Sequence, residues 1–186
     1  MIERLRAAPR DAEALVRWLA ALPIGRDDVR DLLVADEAHP YGRGVLVSDA
    51  GLEVMLATWT PGATCAPHDH GGAEGAVRVV AGRCKHRVYA PRGDALVLVE
   101  EREHGPGDVL VADKDLVHGM SDLDPDDPLV TLHAYLPGIA DMVVYDVVGH
   151  RTLLVDGGCG AWVPDDPAQV LRAIEGFVLP KAISGR

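Results

Sequence analysis

The amino-acid sequence predicts an all-β fold, a small barrel with helices packed outside it. From about residue 41 the chain consists of short apolar segments interrupted by glycine, proline and aspartate. Glycine and proline are frequent, with 20 and 13 residues, and they supply the turns that a many-stranded fold needs. Because the strand-like segments do not alternate with helical ones, a sandwich or barrel is favoured over an α/β sheet.

Helical patterns are confined to the two ends of the chain. Residues 1–36 carry apolar side chains at helical spacing, and a second short helix within them is predicted over residues 26–34. A last short helix is predicted over residues 166–177. Its inward-facing side chains are predicted to be Val170, Leu171, Ile174 and Phe177.

The barrel is predicted to occupy residues 41–156 and to contain about nine strands. These strands are expected at 44–48, 52–60, 75–80, 84–90, 94–101, 108–112, 128–136, 142–147 and 151–155. No internal repeat or linker interrupts the sequence, so residues 1–186 are interpreted as one domain.

Charge and composition exclude several classes of partner. A formal net charge of −11 and an isoelectric point near 5.0 argue against nucleic acid and anionic membranes. The sequence has no apolar run long enough for a membrane span and no secretory signal, so the cytoplasm is expected. Three cysteines are too few and too unevenly paired for a disulfide framework. No pattern indicates an oligomeric state.

The segment Pro67-His68-Asp69-His70 is a candidate metal site. Residues i and i+2 of a strand point to the same face, so His68 and His70 are expected to converge inside the barrel. Imidazole is a good ligand for iron, copper, zinc and nickel. An isolated His-x-His pair is a moderate signal, and its surroundings strengthen it.

The spacing around these histidines resembles the two-motif pattern of the cupin superfamily. Gly62 lies six residues before His68 and Gly82 twelve residues after His70. Later in the chain a Pro-Gly turn at 106–107 precedes His118. The resemblance implies a double-stranded β-barrel, or jelly roll, that holds a metal in its mouth with His118 as the third ligand.

The position at which many cupins carry a ligand glutamate is ambiguous here. One spacing places it on Glu74 and the other on Gly75, which has no side chain. We favour Gly75 and therefore a site of three neutral imidazoles, where a divalent metal keeps its full charge and favours an anionic ligand such as a thiolate. The alternative is a four-ligand manganese or nickel cupin that uses Glu74.

A second polar pattern occupies the strand predicted at 128–136. Thr131, His133 and Tyr135 alternate with apolar residues and therefore share one face. Burying a hydroxyl, an imidazole and a phenol without partners would cost several kcal/mol, roughly 2–7 for each group. We therefore predict that the three side chains form a hydrogen-bonded relay on the inner face.

Together these segments resemble the cysteine dioxygenase family, the thiol dioxygenase branch of the cupins. The matching residues are Tyr41-Gly42-Arg43, Trp59, His68-Asp69-His70, Gly75, His118 and Thr131-Leu132-His133-Ala134-Tyr135. They span about half of the chain, and both their order and their spacings agree with the family. Their specificity comes from this agreement, since each segment alone is common.

The resemblance implies one Fe(II) ion bound by His68, His70 and His118. It implies that the substrate is a small thiol, which is oxidised with O2 to a sulfinic acid. The substrate would be bound by Arg43, Tyr41 and Trp59. Tyr135 would lie beside the reacting sulfur and oxygen, oriented through His133 and Thr131.

The sequence departs from parts of this family at three informative positions. Animal members carry a cysteine, cross-linked to the tyrosine, at the position of Gly75, and that link cannot form here. Thr131 replaces a serine and keeps the hydroxyl group. One branch has glutamine instead of Arg43 and prefers a thiol acid without an amine, so Arg43 favours L-cysteine.

Other functions remain open from the sequence. The protein could oxidise another small thiol such as 3-mercaptopropionate, or it could be a small-molecule-binding cupin without catalysis. Purified protein can also carry nickel, zinc or copper, since nitrogen ligands bind these metals at least as tightly as iron.

The remaining histidines and cysteines are interpreted as structural. His86 and His104 flank barrel strands and are expected at the surface. Cys65 and Cys84 are expected to be packing residues. Cys159 lies in a glycine-rich turn and is expected to be exposed.

Overall fold

The computed structural model describes residues 2–49 and 51–185, so residues 1, 50 and 186 of the predicted domain lie outside the described part. The chain begins with helices α1 (Ile2–Arg6), α2 (Ala12–Ala21) and α3 (Arg26–Val29), the last followed by a 3-10 turn at Arg30–Leu32. The second predicted helix, 26–34, is therefore shorter than expected.

Eleven strands follow in the part of the chain that the structure describes. They are β1 (Tyr41–Asp49), β2 (Leu52–Trp59), β3 (Glu74–Ala81), β4 (Cys84–Arg92), β5 (Ala95–His104), β6 (Val109–Ala112), β7 (Val117–Asp122), β8 (Val130–Leu136), β9 (Asp141–Asp146), β10 (Arg151–Asp156) and β11 (Val170–Glu175). All nine predicted strands are present. β7 was not predicted, because its sequence VHGMSD is polar and lacks an apolar alternation.

The strands form three sheets that close into a double-stranded β-barrel. Their orders are β1-β2-β8-β3-β6, β5-β4-β7 and β11-β10-β9. The extended segment between β2 and β3 joins the last two sheets, since His68 bridges His118 of β7 on one side and Val144 of β9 on the other. The segment that contains His68 is thus held between two strands by isolated β-bridges.

The predicted helix at 166–177 is wrong. Residues Pro167–Gln169 form a 3-10 turn and β11 pairs antiparallel with β10, while a short helix, α4, occurs later at Pro180–Ser184. Val170 and Ile174 are half-buried and Phe177 is buried, whereas Leu171, which was predicted to face inward, is exposed. Because residues four apart share a face in both a helix and a strand, their spacing could not separate the two. Residues 170–175 form a strand because they pair with the free edge of β10.

The helices at the N-terminus cover the outer face of the five-stranded sheet. Leu15 and Leu19 of α2 belong to one buried cluster with Leu132 and Ala134 of β8. The guanidinium of Arg78 donates to the last carbonyls of α2, at 2.6 Å from each of two oxygens. Since β8 buries its apolar face against the helices, its polar face must point into the barrel. No described helix has the length and apolar character needed to cross a membrane.

Candidate metal centre

Three histidines meet in the mouth of the barrel. The backbones of His68 and His118 exchange two hydrogen bonds, of 2.8 and 2.9 Å, so their side chains start from directly opposed positions. His70 follows two residues after His68 and presents its ring to the same point. Their candidate ligand atoms all lie within 4.8 Å of one another, and all three residues are buried.

Burial keeps these imidazoles neutral. Desolvation lowers the pKa of His68 to about 4 and the pKa values of His70 and His118 well below the usual range. Neutral imidazole is the form that binds a metal. The Nδ1 atom of His68 lies 2.9 Å from the carbonyl oxygen of Ala66, so it carries the proton and Nε2 keeps its lone pair.

This donor set fits a divalent first-row metal. The Nε2 atoms of His118 and His70 are 3.1 Å apart. One ion can reach both nitrogens at about 2.0–2.1 Å, the usual length of a bond from imidazole to such a metal. Within the described residues, no carboxylate belongs to this group. Glu74 starts β3 and lies 3.6 Å from the ammonium of Lys114, so a four-ligand site with Glu74 has no support.

The Thr131-His133-Tyr135 face of β8 forms a hydrogen-bonded series. The distance from Thr131 Oγ1 to His133 Nε2 is 2.8 Å, and the distance from His133 Nδ1 to the Tyr135 hydroxyl is 2.9 Å. The indole N–H of Trp59 donates to Thr131 Oγ1 over 3.0 Å. All four side chains are buried.

The direction of this series follows from its first donor. Indole can only donate, so the hydroxyl hydrogen of Thr131 is free to reach His133 Nε2. Burial lowers the pKa of His133 to about 3 and keeps it neutral, so its Nδ1–H donates to the Tyr135 oxygen. The phenolic hydrogen of Tyr135 therefore remains available to the cavity. Burial also raises the pKa of Tyr135 well above its usual value, so the phenol stays protonated.

A small cavity connects the histidines with the predicted substrate-binding residues. Its metal side is formed by His68 and His70, and Tyr135 closes the wall beside them. Its lining also includes Tyr41, Arg43, Met55, His133, Ile139, Met142 and Gly160. One cavity thus brings together a cation from Arg43, imidazoles that can bind a metal, and the apolar side chains of Met55, Ile139 and Met142.

Arg43 enters this cavity from β1 in a fixed position. It donates from Nη2 to Glu53 Oε1 at 2.8 Å and from Nη1 to the carbonyl of Gly157 at 2.7 Å. Its Nε lies 3.1 Å from the sulfur of Met55. Glu53 was not predicted as a site residue, although a single acidic residue inside the apolar strand LEVMLATW is a detectable signal of a buried ion pair.

Tyr41 lines the cavity, whereas Trp59 lies behind its wall. The Tyr41 hydroxyl accepts a hydrogen bond of 2.9 Å from the backbone N–H of Ala161, which leaves its own hydrogen for the cavity. Trp59 does not line the cavity, because its indole supports Thr131 from behind. This position does not support the predicted contact of Trp59 with the substrate, and the contact that the structure shows is the hydrogen bond to Thr131.

Two expectations about surface residues are wrong. His86 is only 8% exposed, and its Nε2 lies 2.8 Å from Nδ1 of His118. The alternation Cys84-Lys85-His86-Arg87, with a cation at every second position, could have indicated that His86 faces inward. Cys159 is buried because its turn packs beneath Trp162, whose carbonyl lies 3.8 Å from the sulfur. Cys65, Cys84 and Cys159 are free thiols.

Gly75 lies directly opposite Tyr135 in the pairing of β3 with β8. A Cβ at this position would collide with the carbonyl oxygen of Ala134 and lie 2.9 Å from the Tyr135 ring. We expect Gly75→Ala to lower the free energy of unfolding by about 3 kcal/mol, as overpacking does. Urea unfolding measures this, with Gly105→Ala in an open turn as the control. Equal unfolding midpoints for the two variants would contradict the close packing.

The buried histidines predict acid sensitivity of the metal-free protein. Their pKa values are lowered from 6.5 to about 4 for His68 and His86, so the unfolded chain binds more protons in this interval. The free energy of unfolding should therefore be highest above pH 6.5 and fall towards pH 4, by about 1.4 kcal/mol per pH unit for each fully titrating histidine. Urea unfolding in the presence of a chelator measures this slope. A flat profile between pH 6.5 and 4.5 would contradict neutral burial.

Fold and site together define a cupin with a group of three buried histidines that can hold a metal ion. A model of the cysteine dioxygenase type I family matches residues 12–148, well over half of the chain. The protein therefore belongs to the cysteine dioxygenase type I family.

Solved structures support the fold. The chain resembles an uncharacterized conserved protein with a double-stranded β-helix domain from Klebsiella pneumoniae, with 20% identity and a TM-score of 0.51 over 62% of this chain and 87% of that chain. It also resembles an oxalate decarboxylase from Lactobacillus farciminis, with 19% identity and a TM-score of 0.50. That match covers 62% of this chain and 34% of the decarboxylase. At these identities the likeness establishes the cupin fold alone.

Proposed function

We propose that the protein is an iron-dependent thiol dioxygenase that converts L-cysteine to cysteine sulfinic acid. One thiol and one O2 give one sulfinic acid, and both oxygen atoms are added to sulfur, so no further reductant is required. The observation that carries this proposal is the convergence of three neutral imidazoles, two of which line a small cavity together with a relay-held phenol, in a chain of the cysteine dioxygenase type I family.

The metal would be Fe(II), held by the Nε2 atoms of His68, His70 and His118. When bound, iron supplies the one-electron chemistry that O2 requires and open positions for a thiolate. Three neutral ligands suit this role, because they leave the full 2+ charge to attract an anionic sulfur. Nickel, zinc or copper in purified protein would compete for the same nitrogens.

Arg43 supports an amino acid or thiol acid as the substrate. Its guanidinium has five N–H donors. Four of them are directed at Met55, Glu53 and the carbonyls of Gly157 and Gly158. One N–H of Nη2 is left for a carboxylate at the cavity wall. Tyr41 adds a hydroxyl to the same wall. A substrate held there by its carboxylate would direct its short thiol side chain towards the histidines.

Tyr135 would act on the oxygen side of the reaction. Its hydroxyl accepts from His133, which directs its own hydrogen into the cavity beside His70. A phenol placed there donates a hydrogen bond to negative charge that develops on oxygen. The raised pKa keeps the proton on the phenol until that charge appears.

Oxygen uptake by the iron-loaded protein tests the function. L-cysteine, 3-mercaptopropionate and cysteamine would be compared in an oxygen electrode, and the product formed under ¹⁸O2 analysed by mass spectrometry. We expect cysteine to be the preferred thiol and the sulfinic acid to contain two ¹⁸O atoms. Preference for 3-mercaptopropionate would overturn the substrate assignment, and formation of cystine alone, or no uptake with any thiol, would overturn the reaction.

Replacing Arg43 by lysine should weaken cysteine binding. Lysine keeps a positive charge next to Glu53 but loses the planar fork, so the KM for cysteine should rise about tenfold while kcat changes less. Cysteamine, which lacks a carboxylate, provides the control, because its KM should not change. An unaltered KM for cysteine would remove Arg43 from substrate binding.

The free thiols support a cytoplasmic location for the proposed reaction. All three cysteines are buried and unpaired, which suits a reducing environment. We therefore place the reaction in the cytoplasm.

A further inference from the structure

A fourth imidazole lies directly behind the three-histidine group. His86 Nε2 is 2.8 Å from His118 Nδ1, and the two rings meet edge to face with centroids 5.0 Å apart. His86 is almost fully buried. His86 does not belong to the metal-binding group itself, so it contacts a predicted ligand without being one.

The contact is set by strand register. In the pairing of β4 with β7, His86 lies opposite Met120 and Val88 lies opposite His118. His86 and His118 are therefore diagonal neighbours on the same face of adjacent antiparallel strands, within reach of long or aromatic side chains. Backbone hydrogen bonds on both strands hold the two rings in position, independently of any ion.

The tautomer of His118 decides which of the two rings donates the hydrogen bond. The Nε2 atom of His118 faces His70, so it is the nitrogen that would bind the ion. A neutral imidazole that binds through Nε2 carries its hydrogen on Nδ1. That hydrogen points at His86 Nε2, which must accept it, so the proton of His86 is on its own Nδ1.

In His68 a backbone carbonyl accepts the Nδ1 hydrogen. Its Nδ1 faces the carbonyl oxygen of Ala66 at 2.9 Å, a usual partner of a metal-binding histidine. For His118 the acceptor is a side chain, and it is a neutral imidazole instead of a carboxylate. A carboxylate would draw the hydrogen more strongly and add a negative charge close to the metal.

We infer that His86 is a positioning residue for the metal ligand His118: it accepts the Nδ1 hydrogen, selects the tautomer that exposes Nε2, and orients the ring without adding charge. This inference rests on the metal site of the proposed function, but it concerns binding of the ion and not oxidation of the thiol. Partners of this kind typically contribute about 10–100-fold to metal affinity.

Cobalt binding tests the inference without any turnover. Metal-free protein would be titrated with Co(II) against a chromophoric chelator, and the visible absorption of the bound cobalt recorded. We expect His86→Leu to raise the dissociation constant about 10–100-fold and to alter the cobalt spectrum. His86→Gln, whose amide oxygen can accept the same hydrogen, should recover most of the affinity.

His104→Leu is the matched control. The ring centroid of His104 lies 6.0 Å from that of His86, and His104 does not belong to the metal-binding group. Its removal should therefore leave the cobalt affinity unchanged. Circular dichroism and urea unfolding show whether each variant is folded. Where His86→Leu does not fold, His86→Glu and His86→Gln are compared, and the charged acceptor should give the tighter cobalt complex.

Two results would overturn the inference. One is a His86→Leu protein that is folded and binds cobalt with the affinity and spectrum of the wild type. The other, where only the glutamate and glutamine variants fold, is identical cobalt binding by both. Either result would leave the thiol dioxygenase proposal intact, whereas tight cobalt binding without any thiol oxidation by the iron form would overturn that proposal alone.

Discussion

Replacing His118 by alanine is expected to abolish stoichiometric metal binding and to lower thiol oxidation to background. The metal-binding group is then reduced to His68 and His70, and no carboxylate of the described residues belongs to the group to replace the third ligand. Because the proposed reaction requires the ion, kcat/KM should fall by at least about 10³-fold, the scale lost when a unit that acts together is broken. Metal analysis after gel filtration and oxygen uptake with cysteine measure the two effects.

A histidine outside the site serves as the control. His150 lies in an exposed turn with φ of 53°, a conformation that asparagine tolerates. His150→Asn should bind one metal per chain and keep full activity. A His118→Ala protein that retains one tightly bound ion and more than about a tenth of the wild-type rate would show that the chemistry lies elsewhere.

Replacing Tyr135 by phenylalanine is expected to lower turnover much more than binding. The ring and its contact with His70 are retained, and the only group lost is the hydroxyl that His133 holds at 2.9 Å. Loss of one preorganised donor to developing charge costs about 10²-fold in kcat. The KM for cysteine should change by less than about threefold, because Arg43 and the histidines provide the binding.

Steady-state oxygen uptake separates kcat from KM in this variant. His133→Gln is the companion, because it leaves the phenol in place and removes the imidazole that directs it, so a smaller loss of kcat is expected. Equal losses in kcat and KM after Tyr135→Phe, or no loss at all, would assign the phenol to general packing.

Much of the barrel could be predicted from the sequence because its strands are short, apolar and separated by turn residues. β8 is the clearest case, since the alternation of Thr131, His133 and Tyr135 with apolar residues specifies which face packs against the helices and which carries the hydrogen-bonded series. The segment at 166–177 shows the limit. The positions of Val170 and Ile174 suit either period, and only the partner strand β10 decides between them.

The site residues that could be predicted are those whose spacing along the chain determines which face of a strand they share. His68 and His70 are two residues apart and necessarily share a face in extended backbone. His86 lies 32 positions from His118, and its contact depends on the register between β4 and β7, which the local sequence does not specify. The pairing of Arg43 with Glu53 depends in the same way on β1 and β2.

The most direct test is the location of the ion in crystals of the iron-loaded protein. An anomalous difference map recorded at the iron absorption edge should contain one strong peak per chain, within bonding distance of the Nε2 atoms of His68, His70 and His118. Glu74 should remain beside Lys114. A peak bonded to Glu74, or one that leaves any of the three imidazoles unbound, would contradict a metal centre built from histidines alone.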